Sequence, residues 1–153
     1  MTSLCCDVLN CLAGRTLVTA ESLTGGGIGA ALTAIPGSSS VYKGGVISYT
    51  NEVKHDILGV SAETLETHGA VSVQTAEEMA VGVRRLLQAD VAVSVTGLAG
   101  PGGDDYGNPV GTVCIGYSDA RESFAVKFHF PGDREAVRTQ TIRAALELVL
   151  DSQ

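Results

Sequence analysis

Apolar positions along this chain recur in two rhythms, and the switches between them mark out its elements. Leu4, Val8, Leu9 and Leu12 fall at the spacing of one helix face, so the chain is predicted to open with an amphipathic helix. A short β-prone run over residues 16–20 follows, then Glu21-Ser-Leu-Thr-Gly-Gly-Gly27 and a helical pattern to about Ala34, ended by Pro36 and Gly37. Gly45–Thr50 (GVISYT) reads as a second, buried strand, and the next short helix is predicted to be capped by Asn51 and stopped by Gly59. Thr75 and Glu78 have the spacing of a capping box before a helix over 76–88. Val91–Val95 is an unbroken run of the kind found in strands covered on both faces. Val110–Tyr117 and Ser123–Phe130 read as a hairpin, and a helix from about Arg134 to Leu150 closes the chain.

Strands alternating with helices, followed by a hairpin and a last helix, predict an α/β fold: a three-layer α/β/α sandwich with a mixed, mainly parallel sheet of about five strands. With 153 residues, 44% of them hydrophobic, and no repeat or linker, residues 1–153 are expected to form one domain. Ligands of such sheets sit beyond the carboxyl ends of the parallel strands. Three loops are expected there: Glu21–Gly27, Tyr49–Lys54 and Thr96–Pro109.

Charge and composition narrow the function. A net charge of −7 argues against a nucleic-acid partner, which demands a cationic face, but leaves room for a small phosphorylated ligand held by one or two donors. No apolar run approaches the roughly 20 residues that cross a bilayer, and no basic residue precedes Arg15, so neither membrane nor secretory signal is expected and the location is read as cytoplasmic. The four cysteines form no CxxC pair and accompany no histidine cluster; they are read as packing residues, with no metal and no cofactor expected.

The first loop sets the hydroxyls of Ser22 and Thr24 at a strand-to-helix turn where Gly25 and Gly26 free main-chain N–H groups. Such a turn binds anions and stabilises developing negative charge, although either hydroxyl could equally be a simple N-cap. Gly25-Gly-Gly-Ile-Gly-Ala30 also satisfies the G-x-G-x-x-A dinucleotide fingerprint, but the next strand ends in Ser48-Tyr-Thr50 and lacks the required acidic residue. Lys54 falls in the first turn of a helix, where a cation opposes the macrodipole. A surface role would explain it; so would a role as base, if desolvation and two nearby helix amino termini bring its pKa down from about 10.4. A right-handed crossover makes the first two strands parallel and puts Ser22 and Lys54 at one end of the sheet. There a neutral Lys54 could deprotonate Ser22, with Tyr49 relaying the proton or orienting the pair. The third loop is too long and glycine-rich for a simple connection and is read as enclosing substrate, with Thr96 and Gly97 nearest the serine and Gly100 beyond them. Arg134 and Arg138 share a helix face, where they could hold a phosphate or pair with Asp133 and Glu135; the pattern alone favours the ion pairs.

Seven motifs then combine. Thr19-Ala-Glu-Ser-Leu-Thr-Gly-Gly26, Pro36-Gly-Ser-Ser39, Gly45-Val-Ile-Ser-Tyr-Thr-Asn-Glu-Val-Lys54, Leu58-Gly-Val60, His68-Gly-Ala-Val-Ser72, Thr96-Gly-Leu-Ala-Gly-Pro-Gly-Gly103 and Pro109-Val-Gly-Thr-Val113 resemble, in that order, the CinA carboxy-terminal domain family. The resemblance runs from about residue 16 to the last helix. It implies an amidohydrolase that converts nicotinamide mononucleotide, a small-molecule nucleotide substrate, to nicotinic acid mononucleotide and ammonia through a serine acyl-enzyme, and a homodimer of three-layer domains. On this resemblance Ser22 is the nucleophile, Lys54 the base and Tyr49 the family's tyrosine, and the phosphate reading of Arg134 and Arg138 gains over the ion pairs. Thr24, Gly25, Gly26, Thr96, Gly97 and Gly100 are the candidate substrate contacts. Leu23 departs from the cysteine common at its position, and no amino-terminal CinA domain is expected ahead of this one, nor the pyrophosphatase chemistry of longer relatives. The alternatives are a non-catalytic nucleotide-binding or regulatory module and a deamidase of another small amide.

Overall fold

The chain folds around one sheet of five strands in the order β2-β1-β3-β4-β5. The computed structural model describes all 153 residues, Met1–Gln153. The strands are β1 (Leu17–Glu21), β2 (Tyr42–Ile47), β3 (Val91–Gly97), β4 (Thr112–Ser118) and β5 (Ser123–His129). β1 pairs in parallel with both β2 and β3, whereas β4 is antiparallel to β3 and to β5, so β4 alone runs against the other four. The mixed, mainly parallel sheet expected from the sequence is thus present.

Helices α1 (Thr2–Cys11), α2 (Gly27–Thr33) and α6 (Arg134–Asp151) cover one face, and α5 (Val73–Leu87) crosses the other with α4 (Ala62–His68) packed on it; α3 (Asn51–Asp56) follows β2 at the end of the sheet. The two-residue period of the strands sorts their side chains between the layers. Leu17, Val91, Val93 and Val95 join the core under α1, α2 and α6, while Val18, Ala20 and Ala92 meet Met79 and Val83 of α5. Both faces of β1, β3 and β4 are therefore dry, which explains why their apolar residues do not follow the strict alternation of a half-exposed strand. No helix is long and apolar enough to cross a membrane.

Several local expectations are corrected. β2 is not a buried strand but the alternately exposed edge of the sheet, running from Tyr42 to Ile47, because only β1 flanks it. Thr50, not Asn51, caps α3, its side chain accepting from the Val53 N–H. Ser72, not Thr75, caps α5, which starts at Val73. Glu78 serves α4 instead: its carboxylate accepts from the Ser61 N–H (2.8 Å) and the Thr64 hydroxyl (2.6 Å). α4 itself escaped the sequence reading because Leu65 is the one large apolar residue in AETLETH, too little to set a period. Of the cysteines, Cys5 and Cys114 are buried packing residues, but Cys6 is half-buried and Cys11 exposed.

Gly82 gives a direct test of the packing between α5 and the segment after α3. Glycine inside a helix ordinarily costs about 1 kcal/mol relative to alanine, but a Cβ at Gly82 would overlap the Leu58 carbonyl. Overpacking of this kind costs about 1–3 kcal/mol, so Gly82→Ala is expected to lower the urea unfolding midpoint despite the propensity gain. A raised midpoint would show that the contact can relax freely.

Candidate active site

At the carboxyl ends of β1 and β3 the sheet opens into a cavity of about 300 Å³ lined by Ser22, Leu23, Tyr49, Asn51, Lys54, Ala70, Val71, Thr96–Gly100, Gly102 and Arg134. Topology supplies its centre. β1 ends one residue before Ser22, whose N–H donates to the Val95 carbonyl at 3.0 Å, and parallel pairing with β3 sets Thr96 and Gly97 alongside. β2 runs parallel on the other side, so the chain leaving it turns through Ser48 and Tyr49 into α3 and delivers Lys54 to the same end.

Lys54 is 1% exposed. Its Nζ lies 3.0 Å from Ser22 Oγ, 2.8 Å from the Ser48 carbonyl oxygen and 3.3 Å from that of Tyr49. No carboxylate lines the cavity, and the salt bridge of the chain is elsewhere, between Arg121 and Asp119. Desolvation without a counter-charge lowers the Lys54 pKa from 10.5 to about 8. Burial, the desolvation expected from the sequence, accounts for this. Its consequence is geometric as well as electrostatic. A neutral amine has two N–H bonds and one lone pair; with the two N–H bonds given to the carbonyls of Ser48 and Tyr49, the lone pair is left for the Ser22 hydroxyl. The arrangement can accept a proton from that hydroxyl without any side chain moving.

The glycine turn is occupied from within. Glu21, 2% exposed, points its carboxylate into the amino terminus of α2, where Oε1 accepts from Ile28 N–H (2.8 Å) and the Thr24 hydroxyl (2.6 Å), and Oε2 accepts from Gly29 N–H (3.0 Å). Gly25 and Gly27 N–H groups bond back to the carbonyls of Ser22 and Thr24. The Thr24 side chain and both Gly25 and Gly26 therefore lie off the cavity, and the anion that this helix terminus favours is a side chain of the protein itself. The N–H groups of Leu23 and Thr24, next after the serine, donate to nothing in the protein.

Thr96, Gly97, Gly100 and Arg134 line the cavity as the sequence suggested. Arg134 stands at its mouth, donating to the Gly100 carbonyl (2.7 Å) and to the Tyr49 hydroxyl (3.3 Å). Tyr49 is thus divided: its main-chain oxygen contacts Lys54, while its exposed phenol reaches Arg134 and does not touch the serine or the lysine. The expected proton relay through Tyr49 is absent from this geometry. Arg138 turns away from the mouth; its Nε and Nη2 donate to the carbonyls of Leu23 (2.9 Å) and Thr24 (3.2 Å). Neither arginine forms the ion pairs with Asp133 and Glu135 that the local pattern favoured.

Sequence reasoning missed the far wall. Ala70 and Val71, in the loop between α4 and α5, close the cavity opposite the serine, with Thr96 Oγ1 donating to the Ala70 carbonyl (2.8 Å) and Asn108 Nδ2 to that of Val71 (3.2 Å). The third loop is held by its own contacts. Asp104 accepts from the main-chain N–H groups of Tyr106 and Asn108, both 3.0 Å, and the Tyr106 hydroxyl donates to the Glu66 carbonyl (2.7 Å). The acid in a strand buried on both faces was the available signal for Glu21; Ala70 and Val71 stood in the His68–Ser72 motif, but their residue types gave no sign of a role in the cavity.

Comparisons with known proteins agree with this architecture. The profile of the family described as CinA C-terminal domain matches residues 5–152. A CinA-like protein of Endomicrobium trichonymphae is 47% identical over 150 residues, which cover 94% of this chain and 35% of that protein. One from Mycolicibacterium gilvum is 48% identical over 139 residues, 90% of this chain and 33% of that protein. The chain thus spans about a third of the length of these curated relatives. Among solved structures, the competence-damaged protein (CinA) superfamily protein of Escherichia coli superposes with a TM-score of 0.97 at 35% identity, over 99% of this chain and 90% of that one. The competence/damage inducible protein CihA of Agrobacterium tumefaciens does so with a TM-score of 0.95 at 41% identity, over 99% and 95%.

The lowered lysine pKa has a definite sign in stability. Between pH 8 and 10.5 the unfolded chain holds a proton on Lys54 that the folded chain has lost, so this residue's contribution to stability rises with pH through that window. The penalty it relieves is roughly 3 kcal/mol, fully present below pH 8. Chemical denaturation of the protein and of Lys54→Met at pH 7 and pH 10 is expected to show the wild type gaining about 2–3 kcal/mol on the variant across that range. Parallel pH dependences would refute a buried, unpaired ammonium.

Proposed function

The chain belongs to the CinA C-terminal domain family, and on that premise we propose that it is an amidohydrolase that releases ammonia from nicotinamide mononucleotide through a serine acyl-enzyme. The contact of 3.0 Å between Lys54 Nζ and Ser22 Oγ, in a cavity without a carboxylate, carries this reading. A serine is a poor nucleophile until a base takes its proton, and the two carbonyls beside Lys54 leave a neutral amine no other use for its lone pair.

The cavity suits a substrate with an apolar and an anionic end. Leu23, Ala70, Val71, Leu98 and Ala99 give the inner part walls for a flat ring, and Arg134 at the mouth retains unused donors for a phosphate. Lys54 takes the Ser22 proton as Oγ bonds to the carboxamide carbon. The oxyanion is held by main-chain N–H groups following the serine, for which those of Leu23 and Thr24 are unengaged. The lysine ammonium then passes its proton to the departing nitrogen, the C–N bond breaks and ammonia leaves. A water molecule, deprotonated by the same lysine, opens the ester to nicotinic acid mononucleotide and restores the Ser22 hydroxyl. The reading concerns this domain; the longer relatives contain further chain.

Purified protein is expected to release ammonia from nicotinamide mononucleotide, with Ser22→Ala and Lys54→Ala each reduced on the order of 10³-fold or more in kcat. Ligand-induced thermal stabilisation without ammonia release would instead mark a binding module. Because only the neutral amine is a base and the Lys54 pKa is about 8, kcat/KM should rise with pH and level off above it. Roughly one molecule in ten is competent at pH 7. A profile flat from pH 6 to 9 would exclude Lys54 as the base.

A further inference from the structure

Arg138 reaches the serine turn from α6, a helix that follows it by more than a hundred residues, and ends on main-chain oxygens instead of on the cavity. The two carbonyls it grips belong to the residues immediately after Ser22. A peptide unit is planar, with its C=O and N–H pointing in opposite directions. Fixing the Leu23 oxygen therefore fixes the Thr24 N–H on the opposite edge of the same plane, one of the two unengaged donors beside the nucleophile. The other side of the turn is held by the Glu21 carboxylate through Thr24 Oγ1 and the Ile28 N–H. A guanidinium and a carboxylate thus both hold Thr24, one through its carbonyl and the other through its hydroxyl, two residues after the Ser22 whose Oγ contacts Lys54.

We propose that Arg138 is a positioning residue for the nucleophile, fixing the Ser22–Thr24 turn through the Leu23 and Thr24 carbonyls, and that it is not part of the site for the substrate's anionic group. The inference rests on Ser22 being the nucleophile. The planar fork suits two carbonyls in a way a lysine does not match. Arg134, on the same helix face one turn earlier, is the arginine that lines the cavity, so the two divide the work: Arg134 acts on binding and Arg138 on turnover.

The test measures Ser22 directly as well as through turnover. A fluorophosphonate bonds its phosphorus to Ser22 Oγ and expels fluoride while Lys54 takes the proton, so its labelling rate, followed by intact mass, reads the nucleophile whatever the natural substrate is. In Arg138→Ala the labelling rate and kcat are expected to fall together, on the order of a hundredfold as for a small misplacement of reacting groups, with KM within about threefold of wild type. About 50 mM guanidinium chloride, but not sodium chloride, should restore much of both rates by refilling the vacated fork site. Should that variant fail to fold, Arg138→Lys provides the same comparison, its single-point ammonium giving a labelling rate between wild type and the loss expected for alanine. Arg134→Ala should raise KM severalfold, with a loss of labelling well short of that in Arg138→Ala. Wild-type labelling in Arg138→Ala or Arg138→Lys together with a raised KM would overturn the proposal. Labelling of the wild type without ammonia release would remove only the proposed substrate; no labelling of the wild type would remove the nucleophile and this role of Arg138 with it.

Discussion

A lysine amine buried beside a serine without any carboxylate is the constraint to which the rest of this domain answers. An ion pair would have been the simpler way to keep Lys54 inside, but an adjacent acid would hold the ammonium form and remove the base. The chain instead surrounds Nζ with two main-chain carbonyls and one hydroxyl, partners that accept hydrogen bonds without fixing the proton. The lowered pKa is therefore built by what was left out as much as by what is present.

The sheet order makes this arrangement possible. Placing β1 between β2 and β3, all parallel, brings three carboxyl-terminal turns together: one carries Ser22, one leads through Ser48 to Lys54, and one supplies Thr96 and Gly97. The antiparallel pair β4 and β5 lies to one side and contributes no residue to the cavity, but it completes the packing surface under α5. The position of β2 at the edge is compatible with a buried Lys54 because α3 folds back over the end of the sheet, leaving Ile47 and Tyr49 exposed while the lysine turns inward.

The sequence made the large features legible because each leaves a periodic trace. The apolar runs of β1 and β3, the hairpin and α6 could be located to within a few residues, and parallel pairing followed from the crossover rule. Ser22 and Lys54 could be placed in one pocket on that basis. The functions of the glycines could not. Gly25 and Gly26 follow a serine at a helix start, as they would in an anion site, yet Glu21 fills that terminus; whether a nearby acid folds into a turn or away from it depends on side-chain direction, which periodicity does not carry. Arg134 and Arg138 were similarly indistinguishable by spacing. One turn of helix separates a guanidinium at the cavity mouth from one bound to carbonyls behind the serine. Ala70 and Val71 stood within a motif of the resemblance, but no chemistry marked them as lining, since a small apolar residue in a loop looks the same whether it faces solvent or a ligand.

The internal carboxylate at α2 also bears on how the domain meets its ligand. A glycine-rich turn that orders only when it takes an external phosphate loses part of the binding free energy to that ordering. Here that conformational entropy was surrendered during folding, when Glu21 entered the helix terminus. The turn that carries Ser22 is fixed by contacts within the protein, which leaves the walls and the mouth of the cavity to discriminate between ligands.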